Sequence, residues 1–204
     1  MLITICRLYD SYGDADRVVL MLGVAGLPPS ETSVISNNSD TWYGAAKTAN
    51  VVPLRKDGAS REAGSKVEGA AIGAAIGAAA ASLITMLAIP GVGAVVGAGW
   101  LAALLASMAV GGAAGGLMGA LTNAGISEED AQVMVEGVRR GGTLVAARVP
   151  QSGLPRMEAI MDRTAVKLDE RRDIYRKSGW QSFDPNAVPY TADQVRCERA
   201  LHAH

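Results

Sequence analysis

Apolar and polar positions alternate in short runs near both ends of the chain and merge into one long apolar block in the middle. Ile3 to Leu8 is rich in β-branched residues and predicts a strand. Ser11 then stands where a helix cap is needed, with Asp14 in the first turn, where negative charge suits the helix dipole. Ala15, Val18, Val19 and Leu22 recur at i, i+3, i+4 and i+7 and form one buried helical face. Gly26 ends that helix, and Pro28 and Pro29 prevent a restart. Glu31 to Ser36, ETSVIS, predicts a second strand and closes a β-α-β unit of 34 residues from Ile3 to Ser36.

The pattern returns further on. Thr143 to Val149 predicts a strand, and Ser152 caps a helix with Leu154, Met157, Ile160 and Met161 on one face; Pro155 is tolerated in its first turn. Thr164 to Asp169 alternates Val166 and Leu168 and predicts another strand. Two β-α-β units in series give an α+β, ferredoxin-like sandwich. More than 100 residues lie between its second and third strands, so the middle of the chain reads as an insertion. The expected boundaries are 1–36 for the first half of the domain, 37–68 for a polar linker, 69–122 for a Gly/Ala-rich helical hairpin, 123–141 for an amphipathic helix, 142–169 for the second half, and 170–204 for a C-terminal arm. In the amphipathic helix Ser127 is the cap, Glu128, Glu129 and Asp130 fill the first turn, Arg139 and Arg140 the last, and Ala131, Met134, Val135 and Val138 make the apolar face. In the arm, Thr191 to Gln194, TADQ, is a capping box that opens a short helix through Leu201.

Gly69 to Ser127 is 59 residues without one Asp, Glu, Lys, Arg or His. That length suits two apolar helices, Gly69 to Ile89 and about 98 to 122, separated by the breaker Pro90 to Ala98. Small residues step by four along each: Gly69, Gly73, Gly77 and Ala81 on the first, and Ala103, Ser107, Gly111, Gly115 and Gly119 on the second. Folded back about Ala94, the two stripes meet in register as a glycine zipper, with close backbone approach offsetting glycine's helix penalty of about 1 kcal/mol. Gly112 and Gly116 form a second small face, read as a contact with another copy of the protein. Trp100 near the turn suits a membrane interface, and Lys56, Arg61, Lys66, Arg139 and Arg140 flank the hairpin. The positive-inside rule then puts the hairpin in a bacterial inner membrane with both termini cytoplasmic. The other reading is a cytoplasmic assembly in which the helices pack into a dry core.

Charge and candidate chemistry add little. A net charge of -1 gives no basic field for nucleic acid. Cys6 and Cys197 read as reduced thiols, and the opening MLITICRLYD lacks the marks of a secretory signal, so the polar parts are expected in the cytoplasm. His202 and His204 stand at the very end of the chain and read as a frayed tail. No cysteine and histidine spacing suits zinc, and the glycines of GVGAVVGAG lack the lysine of a phosphate loop. Asp10 and Ser11 follow the first strand, where a helix cap accounts for them. Arg139 and Arg140, before Gly141 and Gly142, are candidates for contact with anionic lipid head groups, although compensation of the helix dipole accounts for them as well. No catalytic, cofactor or metal site is expected.

The stretches LYDSYGDADRVVLMLGVAGL, IPGVG and GISEEDAQVMVEGVRRGGTLV resemble a bacterial general-stress-protein family of hypothetical membrane proteins. The resemblance covers about Ile3 to Asp169. It implies a ferredoxin-like domain split by a glycine-zipper hairpin and implies no catalytic motif. The function expected is therefore a non-enzymatic, self-associating, membrane-associated structural or stress protein that forms homo-oligomers. A soluble tube- or shell-forming protein and a sensor of an unspecified small ligand are the alternatives.

Overall fold

The computed structural model describes residues 1–43, 51–53, 84–111 and 116–202. Six strands and seven α-helices are present among them. In chain order these are β1 (Leu2–Tyr9), α1 (Tyr12–Val24), β2 (Thr32–Asn37), β3 (Val51–Pro53), β4 (Ile84–Ile89), β5 (Gly93–Gly99), α2 (Trp100–Gly111), α3 (Gly116–Asn123), α4 (Glu128–Arg139), β6 (Thr143–Pro150), α5 (Leu154–Met161), α6 (Leu168–Lys177) and α7 (Ala192–His202). The sheet order is β1-β6-β2-β5-β4-β3. Five of these strands pair antiparallel, and the short β3 adds parallel to β4 at the edge.

Alternation along the strands builds two apolar faces. Ile5 and Tyr9 of β1, with Val145, Ala147 and Val149 of β6, point to one face, where α1 and α5 cover them with Ala15, Val18, Leu22, Met157 and Met161. Cys6, Leu8, Leu144, Ala146 and Ile35 point to the other, where α2, α3 and α4 cover them. The expected first helix and its two strands are found, with Ser11 accepting a hydrogen bond from the Asp14 amide at 3.0 Å.

The middle of the chain departs from the expected helical hairpin. Ile84–Ile89 and Gly93–Gly99 form a β-hairpin, paired from Ile84↔Ala98 to Ile89↔Gly93, around a turn at Pro90, Gly91 and Val92. Gly91 has φ +74°, and a Cβ there would lie 2.7 Å from the Asp184 carbonyl oxygen, so glycine is required at the reversal. The physical reason for the change is composition. Ile84, Ile89, Val95 and Val96 are β-branched, and short apolar runs around a Pro-Gly turn suit a buried strand pair as well as a helix. Of the expected first helix, 69–83 lies outside the described residues and 84–89 is strand. The expected second helix is α2 and α3. Leu101, Leu105, Leu117 and Leu121 of these helices are fully buried against the chain's own sheet. Among the described residues no helix is long and apolar enough to cross a membrane. Trp100, expected at a membrane interface, opens α2 with the Arg148 guanidinium 4.9 Å above its ring.

The glycine stripes fare as follows. Gly69, Gly73, Gly77, Ala81, Gly112 and Gly115 lie outside the described residues. Ala103, Ser107 and Gly111 lie in α2, and Gly116 and Gly119 in α3. A Cβ on Gly116 would make ordinary contact with Ile89, and a Cβ on Gly119 would meet nothing within 4 Å. Among the described residues neither faces another helix's backbone, and α2 and α3 turn Leu101, Leu105, Leu117 and Leu121 to the sheet. Close packing is mediated at Gly137 of α4, where a Cβ would collide with the Leu8 side chain.

Beyond β6 the second expected unit is only half formed. Thr164 to Asp169 is not a strand. Residues 164–167 run beside β1 with one backbone bond, from the Val166 amide to the Leu8 carbonyl at 2.8 Å, and the chain enters α6 at Leu168. Asp169 and Glu170 at its start and Arg176 and Lys177 at its end match the helix dipole, which favours helix over a further strand. The capping box is present, with the Gln194 amide bonded to Thr191 Oγ1 and the Thr191 amide to Gln194 Oε1.

These contacts separate two glycine substitutions. Gly137→Ala forces Leu8 off its seat and should destabilise the protein by about 1–3 kcal/mol. Gly119→Ala, in open space on a helix, should leave stability unchanged or raise it by about 0.5–1 kcal/mol. Urea unfolding followed by circular dichroism reads both, and a large loss at Gly119 would restore a packing role for that residue.

Candidate functional site

The polar residues of the fold converge where β1, α4 and β2 end and α6 and α7 cross them. Glu136 lies on α4 with no exposed surface. Its carboxylate accepts bonds from Arg140 Nε at 2.7 Å and from Arg139 Nη1 at 3.3 Å, the i+4 and i+3 neighbours that one helical face brings to it. Arg139 also donates to the Val188 carbonyl at 2.9 Å and lies 4.6 Å above the Tyr190 ring. Arg140 lies 4.3 Å above the Tyr175 ring and reaches Glu198 at 3.5 Å. The two arginines expected to face head groups therefore hold the C-terminal arm, with side chains 15% and 12% exposed.

Two further arginines complete the cluster, neither of them singled out in the sequence. Arg171 of α6 donates to Asp10 at 2.8 Å, so Asp10 is an ion-pair partner while Ser11 is the helix cap. Arg199 of α7 donates to Asp40 at 2.5 Å and to the carbonyls of Gly141 and Asn37, each at 2.8 Å. A cavity of only about 10 Å³, the room of a single water, lies among Asp10, Arg140, Arg171, Tyr175, Glu198 and His202. A separate, wider pocket that shares Asp10, Arg199 and His202 with it is bordered by Tyr12 and Trp42, whose rings stand 4.6 Å apart. His202, expected in a frayed tail, is in α7 and lines this cavity; His204 lies outside the described residues.

The electrostatics are nearly self-contained. Arg139, Arg140, Arg171 and Arg199 are matched by Glu136, Glu198, Asp10 and Asp40. Burial works against the charge on Arg140 and Arg171, but bonding to Glu136 and Asp10 outweighs it and raises both pKa values. For Arg199 burial outweighs Asp40, and its pKa falls. Burial pushes the Tyr175 phenol up to about 12 despite the nearby guanidiniums, so it stays a neutral ring for Arg140 to stack on. Buried Cys6, under the second face of the sheet, is likewise pushed up to about 12, which removes its thiolate character. No group of three or more His, Cys, Asp and Glu side chains able to hold a metal occurs among the described residues. The arrangement clamps the arm and α7 onto the domain, and its guanidiniums are already bonded within the chain.

No protein-family model matches the chain, and neither the curated proteins nor the solved structures contain a match.

Two measurements probe the clamp. Glu136→Ala strands two poorly solvated guanidiniums and should cost about 3–5 kcal/mol in urea unfolding. Stability should also fall as pH rises. Folded Cys6 and Tyr175 keep protons that the unfolded chain releases above about pH 9 and 10, so their contribution is full below those values and is lost toward about 12. Tyr175→Phe should show a shallower decline than wild type between about pH 10 and 11.5, by up to about 1.4 kcal/mol per pH unit. Equal slopes would show that the phenol is not held neutral by burial.

Proposed function

We propose that the protein is a non-enzymatic, self-associating structural protein of the general-stress type, with residues 84–111 and 116–122 of the Gly/Ala-rich block serving as the inner layer of its own domain. The reading is carried by an apolar ridge on the outer side of α1. Leu20 is 64% exposed and Val24 90% exposed, beside the groove between α1 and α5, and no described element covers them. Exposed aliphatic residues that cluster on one face favour contact with another macromolecule. The closed ion-pair cluster supports a structural role as well, since its charged groups are engaged in holding the arm. The strand order β1-β6-β2, both helices of the two units on one face, and the 164–167 segment beside β1 support a ferredoxin-like half-and-half domain. Its last strand is reduced to a single bond. The resemblance to bacterial stress proteins points the same way.

Burial of Leu101, Leu105, Leu117 and Leu121 on the sheet favours assembly free of the bilayer over a membrane hairpin. A membrane reading then rests on residues 69–83, which lie outside the described residues. Fractionation separates the two. Assembly free of the bilayer should leave particles larger than a monomer in the high-speed supernatant without detergent. Pelleting that resists carbonate extraction would return the protein to the membrane.

A further inference from the structure

The wider pocket lies between the start of α1, the turn at 37–42 and the end of α7, and has a volume of about 290 Å³. That is close to the lower bound of about 300 Å³ for small-molecule sites. Its walls are fixed from behind. Trp42 Nε1 donates to the Asn37 carbonyl at 2.7 Å. Thr41, just before it, takes φ +55°, a left-handed conformation that is costly for a β-branched residue and sets how the chain delivers the indole. Arg199 is held by Asp40 and by the Asn37 and Gly141 carbonyls, and Asp10 is held through Oδ2 by Arg171 at 2.8 Å. A pocket framed by groups already held loses little freedom when a ligand enters.

Two features of the lining are not used by the fold. The Tyr12 and Trp42 rings are 40% and 37% exposed and meet at 46°, so they form an angled aromatic wall open to solvent. The second oxygen of Asp10, Oδ1, has no hydrogen-bond partner among the described residues, and the side chain is 29% exposed.

The charges favour a cation. Arg199 is engaged by Asp40 and two carbonyls, so it offers an anion little. Asp14, also in the lining, is paired only with the exposed Arg17, where solvent screens the pair. Asp16, one turn beyond Tyr12, has no ion-pair partner among the described residues and adds negative potential at the Tyr12 phenol. Burial first, and then Asp16 and Tyr43, push that phenol above its usual range, which keeps it a neutral ring. Around the mouth the four carboxylates of Asp10, Asp14, Asp16 and Asp40 meet the three guanidiniums of Arg17, Arg171 and Arg199. An aromatic wall beside an unpartnered carboxylate oxygen is the chemistry that recognises an ammonium group.

We infer that this pocket binds a small organic ammonium ion, which donates to Asp10 Oδ1 and lays its apolar frame against the Tyr12 and Trp42 rings. The site goes beyond the structural role proposed above and does not depend on it.

The test uses the full chain with phenethylammonium as the probe. Saturation-transfer NMR reads weak binding to a monomer and to an assembly alike. Phenethylammonium should bind, and its neutral analogue 2-phenylethanol and the anion 3-phenylpropionate should each bind about tenfold more weakly or less. Asp10→Asn keeps an acceptor for Arg171 but removes the charge, and should weaken phenethylammonium binding by about tenfold. Trp42→Ala changes a half-exposed rim residue and should weaken it by about threefold or more in a protein with an unaltered circular dichroism spectrum. Equal binding of the three probes would show that charge is not read, and tighter binding of 3-phenylpropionate would make this an anion site. Absence of phenethylammonium binding, or binding that neither variant weakens, would leave the pocket without this ligand. Each of these results overturns the inference and leaves the proposed self-association untouched.

Discussion

The architecture depends on one constraint: a sheet with apolar residues on both faces must be covered twice. Along β1 and β6 the odd positions, such as Ile5 and Ala147, face one layer, and the even positions, such as Cys6 and Ala146, face the other. Helices α1 and α5 cover only one of these faces. The other would expose Leu8, Ile35 and Leu144, all with essentially no exposed surface in the fold, at about 1.5–3 kcal/mol for each large aliphatic side chain. The middle of the chain answers that need. It adds β4 and β5 to the sheet and lays α2, α3 and α4 across the second face.

The same constraint explains how a charge-free block can belong to a layered domain. Small residues allow close contacts as readily against strands as between helices. Gly97 of β5 lets α2 approach, since a Cβ there would stand 3.0 Å from the Ala102 Cβ, and Gly137 lets α4 descend onto Leu8. Gly99, with φ +90°, takes the chain from strand to helix beside the backbone of Thr32 and Ser33. Gly97, Gly99 and Gly137 thus each answer a particular close neighbour in thin, dense layers.

Much of the outer domain was legible because its signals were local and mutually consistent. The Ser11 and Ser127 caps, the TADQ box and the α1 stripe each name one structure. The middle was not, because 3.6- and two-residue periods are hard to distinguish in a run of Ala, Gly and Val, and the four-residue glycine step favoured the helical reading. Val166 and Leu168 alternated as a strand does, yet Leu168, Arg171 and Tyr175 are also spaced as one helical face, and the charges at the two ends decided for helix. The ion-pair cluster was hidden for another reason. Its members come from residues 10, 40, 136, 139, 140, 171, 198 and 199, and only the Glu136 pairs fall within reach along one helix.

That cluster also makes the two sides of the domain unequal. Helix α4 is enclosed on both sides, by the sheet beneath and by α6 and the arm above, so even Val133 and Glu136, outside its expected apolar stripe, have no exposed surface. A carboxylate so placed needs strong donors, and arginines three and four residues on supply them while their planar faces rest on Tyr190 and Tyr175. The C-terminal arm is thereby used to seal the α4 side. Among the described residues the α1 and α5 layer has no such cover, and it keeps Leu20, Val24 and Arg156 at the surface. The ion pairs fasten the arm without hiding all of its apolar surface, since Ile174, Val188 and Leu201 stay exposed there as Leu20 and Val24 do on α1.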